Sequence, residues 1–319
     1  MVGIKKPTPS PLFNKIVRPI PTHRRVIRRT DDFPTGMRKT KLVSEPLPTL
    51  SPTSVLVKVH AVTLNYRDAN IANGGNSWPV VPNRILGNDA AGEVIAVGDK
   101  VRTLTIVFDE RVLCKLPRYL SWEEAAMVPC AGITAWSALK GMQIVQTVLI
   151  QGAAGLRIIL ASSSDAKLQQ SKDKLGSPPI STFNYAKTPN WDQEVLRLTN
   201  GVGVNIVVDN GGTSSLVKSL RCTRGGVVGQ VGYPAKQDPS ELRELIPTII
   251  DRRVILRGIN AGSKSDMENF CAALEATQMP LGDLIDKVFP FEQAEQAVDY
   301  VWQGKQIGKI VLRVLRATA

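Results

Sequence analysis

Between residues 55 and 65 the chain reads VLVKVHAVTLN, with apolar and polar residues in alternation, which predicts a half-buried strand. From residue 147 the pattern changes to short apolar runs alternating with segments of helical period. The runs predict strands at 147–151, 157–162, 181–185, 204–209, 226–231 and 254–259. The segments between them predict helices at 165–175, 191–199, 213–221, 239–249 and 265–277. That alternation predicts an α/β domain with a mainly parallel sheet. Upstream, 24–29 reads as an edge strand, and 84–98 as a strand pair broken at Gly87 and Gly92. Ser121 followed three residues on by Glu124 is a capping-box helix start, with a second helix over 131–141. Residues 306–315 predict a closing strand.

One stretch resists this scheme. In VLIQGAAGLRIILASSS, residues 148–164, only the five residues Gly152 to Leu156 separate two apolar runs. Parallel neighbours ordinarily need a crossover of a dozen or more residues, usually a helix. The spacing therefore predicts either a tight antiparallel hairpin turning at Ala153–Gly155 or one long bent strand.

Composition narrows the function classes. The chain has 319 residues, 43% hydrophobic and 21% charged, which suits a globular protein of two domains or one large one. No apolar run reaches the roughly 20 residues that span a bilayer, so a membrane protein is not expected. Four cysteines occur without a C-x-x-C pair, which fits reduced thiols in the cytoplasm rather than a structural zinc site. The net charge of +12 is concentrated in residues 1–30, which hold eight Lys or Arg and no acid. This segment reads as a solvated basic, Pro-rich arm over 1–23. A mitochondrial presequence is the alternative, opposed by five prolines that would interrupt its helix. Basic residues interleaved with aromatics are lacking, so no nucleic-acid partner is expected.

Several segments together carry a resemblance: VLVKVHAVTLNYRDANIANG, ILGNDAAGEVIAVG, LSWEEAAMVPCAGITAWSAL, VLIQGAAG, FNYAKTPNWDQEVLRLTNGVGVNIVVDNGG and DKVFPFEQAEQAVDYVWQGKQIGKIVLRV. In order and number they resemble the medium-chain dehydrogenase/reductase superfamily, in its zinc-independent, quinone-oxidoreductase-like branch. The resemblance implies a GroES-like β-barrel domain over 24–120 and 286–319. It also implies a Rossmann-like, doubly wound parallel-sheet domain over 121–285, with the cofactor in the cleft. Zinc members carry a Cys after the first core strand and Gly-His-Glu where this chain has Gly87-Asn88-Asp89. No zinc is expected here. The implied activity is NADPH-dependent reduction of a quinone or an α,β-unsaturated carbonyl compound, by hydride transfer without a metal. Alternatives are a redox-impaired paralogue acting as a binding protein, a zinc-type alcohol dehydrogenase, and a trans-acting enoyl reductase of a biosynthetic pathway.

By the same resemblance, Asn65 and Tyr66 lie near the nicotinamide and substrate, with Tyr66 the leading proton donor. Thr134 contacts the nicotinamide half, and Gly152 and Gly155 line the pyrophosphate turn. Ser162, Ser163 and Lys167 meet the adenosine end. Their chemistry agrees, since two hydroxyls and a cation, with no acid read at the strand tip, suit a 2′-phosphate, whereas an Asp or Glu there would favour NAD. Ser163 and Ser164 also suit helix N-capping. Tyr185 is a further adenosine-side contact. Gly232, Tyr233 and Asn260 flank the nicotinamide, and Lys309 lies toward the cofactor's second half. A homodimer through the sheet edge around 254–261 is implied as well.

Relative to the family the chain is short in two places: after Gly155, where the pyrophosphate-facing helix would run, and over 97–117, where barrel strands would run. Both domains are therefore expected to be incomplete. A missing barrel strand would leave backbone groups unpaired, at about 1–3 kcal/mol for each one buried. Divergence, loss of function and an altered gene product each account for this pattern.

Overall fold

A computed structural model describes residues 2–5, 20–30, 40–51, 54–75, 79–97, 113–140, 147–149, 157–175, 180–234 and 237–314. The first elements are β1 (Val2–Lys5), β2 (His23–Arg29), β3 (Thr40–Pro46), β4 (Val55–Leu64), α1 (Tyr66–Ala72), β5 (Asp89–Val97), β6 (Leu113–Lys115), α2 (Trp122–Met127) and α3 (Ile133–Ala138). Next come β7 (Thr147–Leu149), β8 (Arg157–Ser162), α4 (Asp165–Leu175), β9 (Ile180–Asn184), α5 (Trp191–Leu198), β10 (Val204–Asp209), α6 (Thr213–Arg221), β11 (Thr223–Gln230), α7 (Leu245–Arg252) and β12 (Ile255–Gly258). The chain closes with α8 (Lys264–Thr277), β13 (Ile285–Pro290), α9 (Ala294–Trp302) and β14 (Lys309–Arg313). Among the described residues no helix is long and apolar enough to cross a membrane.

Two compact units result, one of Met1–Ile133 with Ser263–Ala319, the other of Thr134–Gly262. These divisions differ from the boundaries at 120/121 and 285/286 expected from the sequence. The reason is packing: Ala125, Ala126 and Met127 of α2 and Met267, Cys271 and Leu274 of α8 share one core in the first unit.

The second unit is a six-stranded sheet in the order β12-β11-β10-β7-β8-β9, parallel throughout. Read from β9, the strands come third, second, first, fourth, fifth, sixth, and the order reverses between β7 and β10. That is the doubly wound arrangement, whose ligands bind beyond the strands' carboxyl ends. Both faces are covered. Ile159 and Val207 enter one core with Phe183, Val195 and Leu220, while Ile158 and Ile206 enter another with Leu139. Adjacent apolar residues on opposite faces are what a doubly covered parallel sheet requires.

This arrangement overturns both readings of residues 148–164. The two strands are neither a hairpin nor one bent strand: β7 pairs parallel with β8, Thr147 opposite Arg157 and Leu149 opposite Ile159. Parallel neighbours outside them, β10 and β9, hold that direction.

The first unit holds a six-stranded mixed sheet, β13-β14-β4-β5-β1-β6, and the antiparallel pair β2–β3. Residues 1–23 were expected to be an irregular arm, but Val2–Lys5 form a strand parallel to both β5 and β6. Its backbone pairs on both sides, in the place where a shortened barrel would leave strand edges open. Where a strand pair was expected over 84–98, the described residues form one strand, Asp89–Val97. A side chain at Gly92 would put its Cβ 2.4 Å from the Lys58 carbonyl oxygen, so glycine here permits close approach to β4 rather than a break. Residues 66–72, to which the sequence reading assigned no element, form α1. The predicted helix over 131–141 is shorter, preceded by a wide turn over Val128–Gly132 that contains Pro129.

Candidate active site

Three strand ends meet at one end of the first unit's sheet. β4 stops at Leu64 and the chain turns at Asn65, in extended conformation, into α1. β5 starts at Asp89 opposite Thr63, and β14 starts at Lys309, next to Ile310, which pairs with Leu64. Register alone therefore gathers Asn65, Asp89 and Lys309. The Asn65 amide is used at both ends. Its Nδ2 donates to Asp89 Oδ2 at 2.5 Å, and its Oδ1 accepts from Lys309 Nζ at 2.5 Å. The Cys130 thiol also hydrogen-bonds Asp89.

Asp68 lies one turn into α1 and is buried. Its carboxylate accepts from the Asn65 backbone N–H at 2.8 Å, the Gly87 N–H at 3.3 Å and Asn88 Nδ2 at 3.2 Å. Burial pushes its pKa up to about 6 against these bonds. Burial likewise raises Asp89, opposed by Asn65 and Lys309. Lys309 is lowered by burial, opposed by the charge of Asp89. Two acids and one ammonium thus share a poorly hydrated pocket in which every group has a partner.

Tyr66 stands apart from these bonds. It is 45% exposed, and its ring stacks on Trp302 with centroids 6.1 Å apart. The structure therefore separates the two expected catalytic residues by environment: Asn65 is committed to the polar cluster, and Tyr66 faces outward.

Zinc bound by protein takes mainly thiolate and neutral imidazole ligands. Here the groups are two carboxylates, two carboxamides, one thiol and an ammonium that already supplies a cation. Among the described residues, no three His, Cys, Asp or Glu side chains could hold a metal ion. These residues do not fit zinc.

In the second unit, β8 ends at Ser162, whose Oγ accepts from the Ser164 N–H at 3.2 Å, while its carbonyl accepts from the Tyr185 N–H at 3.1 Å. Ser164 Oγ accepts from the Lys167 N–H at 3.4 Å and caps α4, the role expected of the serines. Ser163 is exposed, and its carbonyl accepts from Asn184 Nδ2 at 3.2 Å. Ser162, Ser163, Lys167 and Tyr185 are thus brought to one strand tip. An acid does sit there: Asp165, held by Asn184 at 2.8 Å and Lys187 at 2.5 Å. The hydrogen bond from Lys187 holds its carboxyl below the usual range.

Gly232, Tyr233 and Asn260 follow the neighbouring strands β11 and β12. Gln230 Nε2 donates to the Gly232 carbonyl at 2.6 Å, and any Cβ on Gly232 would lie 2.2 Å from Asn210 Oδ1. The residue fixing this corner, Asp209, was not anticipated. Buried at the end of β10, it accepts from Ser219 Oγ at 2.6 Å, Ser215 Oγ at 2.7 Å and the Gly211 N–H at 2.8 Å. The run Asp209-Asn210-Gly211-Gly212 after an apolar strand was the available signal. Thr134 lies half-buried in the first turn of α3 and joins neither group. Gly152 and Gly155 lie outside the described residues.

Comparison with known proteins places this geometry. Residues 51–146 match the alcohol dehydrogenase GroES-like domain family, and residues 141–276 the zinc-binding dehydrogenase family. A zinc-type alcohol dehydrogenase-like protein of Schizosaccharomyces pombe is 32% identical over 323 residues, covering 83% of this chain and 92% of the relative. This chain belongs to the medium-chain dehydrogenase/reductase superfamily. Other superfamily matches are domains of far larger proteins. The highly reducing polyketide synthase ltbA of Aspergillus luteorubrus is 25% identical over 83% of this chain, which spans only 9% of that enzyme. Among solved structures, an NAD-dependent alcohol dehydrogenase superposes with a TM-score of 0.74 at 22% identity, over 92% of this chain and all of the other. The 2-octenoyl-CoA carboxylase reductase CinF from Streptomyces, in complex with NADP and 2-octenoyl-CoA, superposes with 0.73 at 19% identity, over 95% and 90%. The two structures support the medium-chain dehydrogenase/reductase fold and nothing finer.

Proposed function

We propose that this oxidoreductase is an NADPH-dependent, zinc-independent reductase of a quinone or an α,β-unsaturated carbonyl compound. The observation that carries this reading is the Lys309–Asn65–Asp89 chain: after the first core strand, where zinc-dependent members carry a Cys, Asn65 bonds an ammonium and a carboxylate. Bound NADPH would supply a hydride to the β-carbon. Ser162, Ser163, Lys167 and Tyr185 would hold its adenosine end, with Lys187 keeping Asp165 away from the 2′-phosphate. Gly232, Tyr233 and Asn260 would frame the nicotinamide. Tyr66 is the assigned donor of the proton that completes reduction, as its phenol is exposed while Asn65 is fully engaged. The four free thiols favour a reducing compartment, the cytoplasm. Ile255 and Leu256 are exposed on the edge strand β12, which favours a homodimer through that edge.

The test is turnover. Purified protein with NADPH and a simple quinone or enone should consume NADPH without stoichiometric zinc. Absence of any NADPH fluorescence change or thermal shift at millimolar cofactor would overturn the reading. It would favour instead a non-redox binding protein, the reading supported by the short connection between β7 and β8. The polyketide synthase relatives favour an enoyl thioester among the candidate substrates.

A further inference from the structure

Four cysteines are present, and two of them touch. Cys114 is the middle residue of β6, and Cys271 lies on α8, 157 residues away in sequence. Their sulfurs are 3.8 Å apart. Both belong to the same apolar core and are only 4% and 6% exposed. The other two thiols are engaged elsewhere, Cys222 with the Ser219 carbonyl and Cys130 with Asp89.

We propose that Cys114 and Cys271 form a reversible intramolecular disulfide when the protein meets a hydroperoxide. A disulfide needs the sulfurs at about 2.05 Å, so closure requires a movement of under two ångström between them. The fold supplies the freedom. Among the described residues β6 is the outer strand of its sheet, bonded to β1 alone, and its partner cysteine sits on a separate helix. Access comes with local opening of that edge, since edge strands open more readily than a sheet interior. Reactivity is asymmetric. The hydrogen bond with Cys271 favours the thiolate of Cys114, and Lys264 on α8 adds to that, against burial and Glu268.

The chemistry balances in two steps. Cys114 thiolate attacks the peroxide oxygen, giving a sulfenic acid while the peroxide is reduced to water or an alcohol. The Cys271 thiol then attacks that sulfur, forming the S–S bond and releasing water. Two thiols have lost two hydrogen atoms, and one hydroperoxide has accepted them. A dithiol reductant reverses the reaction. The bond would pin the outer strand to α8.

The test uses the full chain treated with hydrogen peroxide, alkylated, digested and analysed by mass spectrometry before and after dithiothreitol. The expected result is one dithiothreitol-sensitive cross-linked peptide pair containing Cys114 and Cys271, with alkylatable thiols falling from four to two. Cys114→Ser and Cys271→Ser should each abolish the cross-link. The wild-type peptide map decides the matter even if a variant fails to fold. Four alkylatable thiols after prolonged treatment, over-oxidation of Cys114 without a cross-link, or a bond to another cysteine would each overturn the proposal.

Discussion

The Lys309 ammonium donates to the Asn65 side-chain oxygen at 2.5 Å, and the other end of the same amide donates to Asp89. One carboxamide thus couples a cation on β14 to an anion on β5. Replacing Lys309 with Met removes the ammonium bonded to this amide and takes the Lys309 donor from Asn65 Oδ1. Loss of a buried charge-assisted hydrogen bond costs about 1–3 kcal/mol. The urea midpoint of Lys309→Met should fall accordingly, with an unchanged m-value if both states keep their compactness.

Asp68 gives stability a pH signature of known sign. Its folded-state pKa of about 6 lies above the ordinary aspartate value of 3.8. The folded protein therefore holds a proton that the unfolded chain has released, and stability falls as pH rises through that window. The full effect is up to about 3 kcal/mol and is constant above the window. Asp68→Asn should flatten the stability curve between the two values, read from urea midpoints across pH. Glu45 acts in the opposite sense. Hydrogen bonds from Arg28 and Arg24 lower it to about 2, so its contribution is present at neutral pH and lost on acidification.

Gly226 in β11 has no room for a methyl group. A Cβ there would lie 2.0 Å from the Asn205 carbonyl oxygen, at the irregularity in the β10–β11 register. Gly226→Ala should destabilise the protein by about 1–3 kcal/mol through forced backbone shifts. Thermal melts of the variant measure this directly.

The proposed cofactor preference has its own probe in Lys167. Its loss should weaken NADPH binding about tenfold and leave NADH binding nearly unchanged, as removal of one charge-assisted contact to the 2′-phosphate predicts. Fluorescence titration with both cofactors separates the two.

The proposed homodimer is tested at β12. Ile255 is 63% exposed on the sheet edge. A lysine at that position is the device proteins use to keep strand edges from pairing. Ile255→Lys should sediment as a monomer at concentrations where the parent chain dimerises.

The sequence-to-structure comparison follows the range of the interactions. Strands β8 and β10 and helices α4 and α6 match their predicted ranges because each signal is local: apolar runs, then a capping serine or a glycine. The parallel pairing of β7 with β8 was misread because the direction agrees with β10 and β9 on either side of the pair, and the spacing within 148–164 carries nothing of those distant partners. β1 was missed for a related reason. Val2–Lys5 has little pattern of its own and is a strand because β5 and β6 flank it. α1 starts where Asp68 folds back onto the Asn65 N–H, a capping box whose signal, an Asn followed three residues on by an acid, was available in NYRD and not used. Asn65 and Lys309 were individually visible through the resemblance. Their union with Asp68 and Asp89 was not, because the bond from Lys309 to Asn65 joins residues 244 apart. Asp209 was missed although three of its partners, Gly211, Ser215 and Ser219, lie within ten residues, since an acid ending a strand has many solvent-facing precedents.

The sheet carrying the polar cluster also sets an order of assembly. The second unit is one continuous stretch, 134–262, and its six strands need nothing from outside it. The first unit needs β14, so on a ribosome Asn65 and Asp89 emerge long before Lys309 does. Until then the growing chain carries a completed parallel sheet beside a half-built one, whose buried acids lack their cation. Protease resistance should therefore appear first within 134–262 of nascent chains. The stretch from 55 to 97 stays accessible to chaperones until residue 313 has cleared the exit tunnel.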